Sequence, residues 1–138
     1  MDRVKITVLS VFLGLLYAYF AVYIAGIGAA IAIPAEILTP FVKDYPIFTF
    51  AMIDLITIGL PLIIIYCVFA LLINHLNVSK SYFPYIALLL PYFALSIYFF
   101  SLMEPPQNWV YTFGTIVPRY FVLIVFAIFF ITRATRYK

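Results

Sequence analysis

Residues 6–33 read ITVLSVFLGLLYAYFAVYIAGIGAAIAI, 28 consecutive positions without a charged side chain. At 1.5 Å per residue a helix of that length reaches roughly 42 Å, more than the ~30 Å hydrocarbon layer of a bilayer, so it spans with tilt or protrudes. The apolar run is also far longer than the roughly 7–15 residues of a secretory leader, and it is read as a retained transmembrane helix.

Three further apolar runs follow, at 47–73, 82–103 and 112–132. The second carries Asp54, Gly59 and Pro61 inside it. The third has Pro84 in its first turn, where a missing N–H costs nothing, and Pro91 in its interior, where a kink is expected. The fourth is fixed by length: from Pro118 to Thr132 a helix covers only about 22 Å, too short to cross, so it is predicted to begin near Thr112 with Pro118 inside it. Trp109, Tyr111 and Phe113 then fall at the interface, where amphipathic rings are enriched. The connections at 34–46, 74–81 and 104–111 are too short for a soluble domain. The fold expected is therefore all-α, one polytopic four-helix transmembrane domain over residues 1–138.

Composition agrees with this reading. The chain is 67% hydrophobic and 9% charged, against roughly 45–50% and 25% in soluble domains, and 138 residues enclose too little interior to hide so much apolar surface. A disulfide scaffold, a disordered tail and a nucleic-acid module are excluded, the last because a net charge of +3 rests on only eight cations. With four crossings both termini and the 74–81 loop share a side. That side holds Arg3, Lys5, Lys80, Arg133, Arg136 and Lys138, against Lys43 and Arg119 on the other. The positive-inside rule then places both termini in the cytoplasm and, in a bacterium, the chain in the inner membrane. The Asn77-Val78-Ser79 sequon falls on the cytoplasmic side and is read as chance.

Little in the chain invites catalysis. One cysteine, Cys67, and one histidine, His75, leave no dithiol pair and no bis-histidine haem site, and no cofactor or metal is expected. Cys67 reads as a small packing residue. His75, at the end of the second span, reads as a helix-end cation, with proton relay as the other option. Phosphate-loop, dinucleotide, hydrolase-elbow and zinc-protease motifs are missing, no serine has a nearby histidine, and a non-enzymatic role is expected.

The polar features are few. Glu36 follows the first span, Asp54 lies inside the second, Glu104 ends the third and Arg119 lies inside the fourth, all toward the non-cytoplasmic side. An isolated charge at mid-membrane costs ~2.5–3.5 kcal/mol on insertion scales, so Asp54 and Arg119 are expected to pair. The pair is either a structural lock or, with Glu36 or Glu104, a site for a proton, ion or ligand. Asp54, Thr57 and Pro61 share a helix face, and Pro61 frees the Thr57 carbonyl.

Gly14, Ala18, Ala21, Ala25, Ala29 and Ala32 recur every three or four residues, a stripe of small side chains widened by Gly26 and Ala30. In lipid such stripes let helix backbones approach closely, whether the partner is within the chain or outside it. Tyr17, Tyr19, Tyr23, Tyr66, Tyr92 and Tyr98 lie too deep for the interfacial belt and need hydroxyl partners, for which carbonyls freed by Pro91 or Pro61 are candidates. Tyr85, Tyr92, Ser96 and Phe99 share one face of the third span, a possible polar seam or aromatic cation cavity.

In size and number of spans the chain is similar to the small multidrug-resistance exporters, whose essential carboxylate lies well within the first helix; here that helix has none before Glu36. It resembles immunity proteins against pore-forming bacteriocins in being short, basic-ended and polytopic. The function expected is a non-catalytic subunit for assembly or support of a larger inner-membrane complex, acting through lateral helix contacts, with immunity as a sub-case. Its partners would be the bilayer and another membrane protein or a second copy. The alternative is a small oligomeric transporter or channel built on Asp54 and Arg119.

Overall fold

A computed structural model describes residues 2–77 and 81–136, and all regular structure in them is helical. Lys80, Lys138 and the Val78-Ser79 part of the sequon lie outside these residues. The helices are α1 (Arg3–Ala30), α2 (Ala35–Asp44), α3 (Pro46–Leu76), α4 (Phe83–Leu102) and α5 (Trp109–Arg136). Four of them, α2 excepted, are long and apolar enough to cross a membrane: this is a multi-pass membrane protein. The first begins at Arg3 and ends at Ala30, earlier at both ends than the apolar run 6–33. The last begins at Trp109, with Pro118 in its interior.

The segment read as a plain connection between the first two spans contains α2. Its ten residues cover only about 15 Å and cannot cross. Glu36 in its first turn and Lys43 in its last suit the helix dipole. Leu38 and Val42 are half-buried while Ile37 and Phe41 are exposed, so this short helix leaves an apolar edge facing outward. Thr49 ties its end to α3 by donating to the carbonyls of Tyr45 at 2.7 Å and Phe41 at 3.1 Å.

Within α3 the helix widens into a π-turn over Leu55–Gly59. The proline ring at residue 61 would crowd the carbonyl four positions earlier, Thr57, and a wider turn relieves that contact without breaking the helix. The turn closes with the Leu60 N–H donating to the Leu55 carbonyl.

The spans associate most extensively as two pairs, α1 with α4 and α3 with α5. Each pair runs parallel: Gly14 meets Leu88 and Tyr17 meets Tyr92 in the first, Ile47 meets Gly114 and Tyr66 meets Phe130 in the second. In the first pair the backbones touch. A Cβ on Gly14 would lie 2.8 Å from the Leu88 carbonyl oxygen and 2.9 Å from that of Ala87. Pro91 has no N–H to give the Ala87 carbonyl, so the glycine lies against an oxygen that has lost its helical donor, where weak Cα–H contacts count.

The core occupies one half of the bundle. Its members are the first two-thirds of α1 (Ile6 to Ala21), the second half of α3 (Leu62 to Ile73), the first half of α4 (Tyr85 to Tyr92) and the second half of α5 (Leu123 to Phe130). Tyr17, Tyr66 and Tyr85 are fully buried there. Tyr17 packs edge-on against Tyr66 at 6.3 Å and Tyr92 at 5.5 Å, and Tyr85 stacks on Phe130 at 6.3 Å. Ala51 is the one core-type hydrophobic residue buried in the other half among the described residues.

Candidate functional site

The half without a core contains two part-buried charges, Asp54 and Arg119. Asp54 ends the regular α-helical part of α3 just before the π-turn, and Arg119 follows Pro118 in α5. The Arg119 Nη1 donates to Asp54 Oδ1 at 2.9 Å, so the two charges that the sequence places at similar depth are joined. Their side chains are 13% and 19% exposed, and no other ion pair is found within the spans among the described residues. The contact is single rather than the two-pronged arrangement open to a guanidinium and a carboxylate. Asp54 Oδ2 and Arg119 Nε are buried without a hydrogen bond inside the protein.

The π-turn makes room for this pair. A Cβ on Gly59 would lie 3.4 Å from Arg119 Cγ and 3.0 Å from Leu55 Cδ1, so the arginine stem passes over a glycine. The guanidinium carbon lies 5.0 Å from the ring centre of Tyr120, a cation–π arrangement that partly replaces lost hydration. Tyr120 in turn stacks on Tyr92 at 5.8 Å, which links the pair to the aromatic core. Thr57, on the Asp54 face, donates to the Ile53 carbonyl at 2.8 Å and is thereby occupied locally.

A cavity adjoins each member of the pair. One, of about 500 Å³, is lined by all four spans, most heavily by α4 and α5, and reaches Arg119, Tyr92 and Ser96. The other, of about 280 Å³, is lined by Asp54, Thr57, Tyr111 and Thr115 together with residues of α1.

Glu36 and Glu104 do not join them. Both are exposed, Glu36 in the first turn of α2 and Glu104 in the loop after α4, and neither forms an ion pair with a described residue. The expected outer-side cluster is thus reduced to Asp54 and Arg119. Among the described residues no group of three histidine, cysteine or acidic side chains is arranged to hold a metal ion.

The small-residue stripe divides. Gly14, Ala18 and Ala21 are buried, while Ala25 and Ala29 are exposed and a Cβ on Gly26 would meet nothing within 4 Å. Ala32 lies past the end of α1 and is not on the helical stripe. One glycine of the exposed end is in contact: a Cβ on Gly28 would fall 2.5 Å from Ile58 Cγ1, against the π-turn.

The deep tyrosines do not use the proline-freed carbonyls. Tyr17 donates to the Leu62 carbonyl at 3.2 Å, and Tyr85 donates to Asn74 Oδ1 at 3.1 Å. Tyr66 is buried with an unpartnered hydroxyl, and exposed Tyr19 donates to exposed Tyr23 at 3.0 Å. Of the face predicted on α4, Tyr92, Ser96 and Phe99 all line the cavity of about 500 Å³, whereas Tyr85 is buried in the core; the Ser96 hydroxyl also bonds back to the Tyr92 carbonyl at 2.9 Å. Cys67 is half-buried and unpaired, and His75 is exposed in the last turn of α3. Asn77 bonds the Ser81 carbonyl at 2.7 Å.

No protein-family model, no curated protein and no solved structure matches this chain.

Proposed function

We propose that the protein is a non-catalytic integral membrane subunit that works through lateral helix contacts, in assembling or supporting a larger inner-membrane complex. Both termini would face the cytoplasm, as the cation bias along the sequence requires. The observation that carries the reading is the change along α1: its small residues bury Gly14, Ala18 and Ala21 against the chain's own helices, then leave Ala25, Gly26 and Ala29 exposed. Inside lipid, apolar burial alone gives no drive to associate, and an uncovered small-residue face is where a neighbouring helix gains most from close approach. The neighbour is another membrane protein or a second copy of this chain. Binding the membrane helices of a pore-forming toxin is one form such a contact takes.

Purification in a mild detergent tests this. Gly26→Leu with Ala30→Leu, two exposed positions that line neither cavity, is expected to abolish recovery of a partner or of the self-associated form, while the monomer stays folded. Unchanged recovery rejects the proposal. A second reading, a small transporter or channel working as an oligomer, is favoured by one observation, the two cavities flanking Asp54 and Arg119. Loss of activity on Asp54→Asn, with partner recovery intact in the α1 double variant, would select it.

A further inference from the structure

The cleft of about 500 Å³ borders the exposed α1 face at Ala25, but most of its wall, and its polar groups, belong to α4 and α5. Its volume falls within the roughly 300–1,000 Å³ of small-molecule sites. Its composition is graded. Toward the end of α4 and the start of α5 the wall is apolar, with Phe100, Met103 and Phe113; toward the core it reaches Tyr92, Ser96 and Arg119. A molecule seated there meets hydrogen-bonding groups at one end only.

Electrostatics narrows the class. Asp54 already neutralises Arg119, so a carboxylate or phosphate ligand would leave a net negative charge among apolar walls, and an ammonium would leave a positive one. An uncharged ligand leaves the pair neutral. The guanidinium nevertheless has donors to spare: of five N–H groups the bond to Asp54 uses one, and while Nε is sealed off by burial, Nη2 is neither sealed nor bonded within the protein. The missing partner is a neutral acceptor. Because the apolar wall residues Phe99, Phe100 and Val117 are exposed on the flank of the spans, the cleft opens sideways and such a molecule enters from the bilayer.

We propose that this cleft binds an uncharged lipophile bearing a carbonyl oxygen, a ketone, quinone or ester, with the carbonyl accepting from Arg119 and the apolar body against Phe100, Phe113 and Val117. The binding does not depend on the lateral-contact function and survives its failure.

The experiment uses the full chain in phosphatidylcholine nanodiscs and three diazirine-bearing photoprobes of equal chain length: a methyl ketone, an alkane and a carboxylate. The ketone is expected to label α4 and α5 peptides saturably, half-saturating at a concentration about ten-fold below the other two, the worth of one hydrogen bond to a charged donor. Val117→Phe, which adds bulk to the cleft wall without altering either member of the ion pair, should remove the saturable labelling. Arg119→Met with Asp54→Leu, which removes the donor and its counter-charge together, should bring the ketone to the alkane, and if that variant does not fold, Val117→Phe still decides. Labelling that rises without saturation, that is equal for all three probes, or that persists in Val117→Phe would mean that the cleft holds only lipid tails, and would overturn the assignment.

Discussion

The two halves of the bundle are built from the same four helices, yet they solve packing in opposite ways. In the half that carries the termini, large side chains interlock around Tyr17, Tyr66 and Tyr85, and Gly14 brings two backbones into contact. In the other half the helices meet through glycines, a single ion pair and aromatic edges, and two cavities remain. Stability should therefore reside in the first half. The second, less constrained, has the polar groups and open space on which binding depends, in keeping with the tendency of functional segments to come from the less stable parts of a fold.

The largest test of this contrast is Gly14→Leu. The atoms a side chain would strike are the main-chain oxygens of Leu88 and Ala87, which cannot rotate away. A loss of about 3 kcal/mol is expected, at the upper end of overpacking costs, measured as a shift in reversible unfolding in mixed micelles. A loss below about 1 kcal/mol would mean that α1 and α4 separate easily, and that the core half is not the stable one.

Breaking the ion pair should cost somewhat less. Asp54→Asn leaves the Arg119 cation without its counter-charge, and fully buried pairs lose about 3–5 kcal/mol in such cases. Here both side chains keep some exposure and the contact is single, so about 2 kcal/mol is expected. Exchanging the two residues, Asp54→Arg with Arg119→Asp, should recover part of the loss. A double variant no better than the sum of the singles would show that the pair contributes no coupling.

These two sites differ in how far they could be read from the chain. Asp54 and Arg119 were legible because a charge in an apolar run is costly, and only one of each sign lay deep enough to match. The four spans were legible because the bilayer sets helix length. The π-turn was not: Pro61 announces a disturbance, but whether a helix kinks or widens depends on what packs there, and here Arg119 passes over Gly59. The α2 helix was missed although Ile37, Leu38, Phe41 and Val42 have helical spacing, because two flanking prolines and one internal proline read as a loop. The division of the stripe was also beyond sequence, since small residues mark close approach without saying who approaches.

A smaller contrast lies within the core itself. Tyr17 and Tyr66 are both fully buried, but only Tyr17 has a hydroxyl partner, the Leu62 carbonyl. Tyr17→Phe should cost about 1 kcal/mol, the net worth of a hydrogen bond. Tyr66→Phe should be neutral or stabilising, because it removes a buried hydroxyl that makes no bond. Thermal unfolding of the two variants side by side checks the sign, and equal losses would mean that Tyr66 has an acceptor after all.

The smallest effect on stability is expected on the exposed end of α1, and it separates folding from association. Leucine at position 26 meets open space, so Gly26→Leu should change monomer stability by no more than about 0.5 kcal/mol, with the gain in helix propensity working in its favour. Leucine at position 14, by contrast, should cost about 3 kcal/mol. If the same Gly26→Leu variant also loses its co-purifying partner, the two ends of one stripe have different tasks: the buried end holds the chain together and the exposed end recruits. Should Gly26→Leu destabilise the isolated monomer as strongly as Gly14→Leu, that face is covered within the chain itself, and the reason for assigning it to a partner disappears.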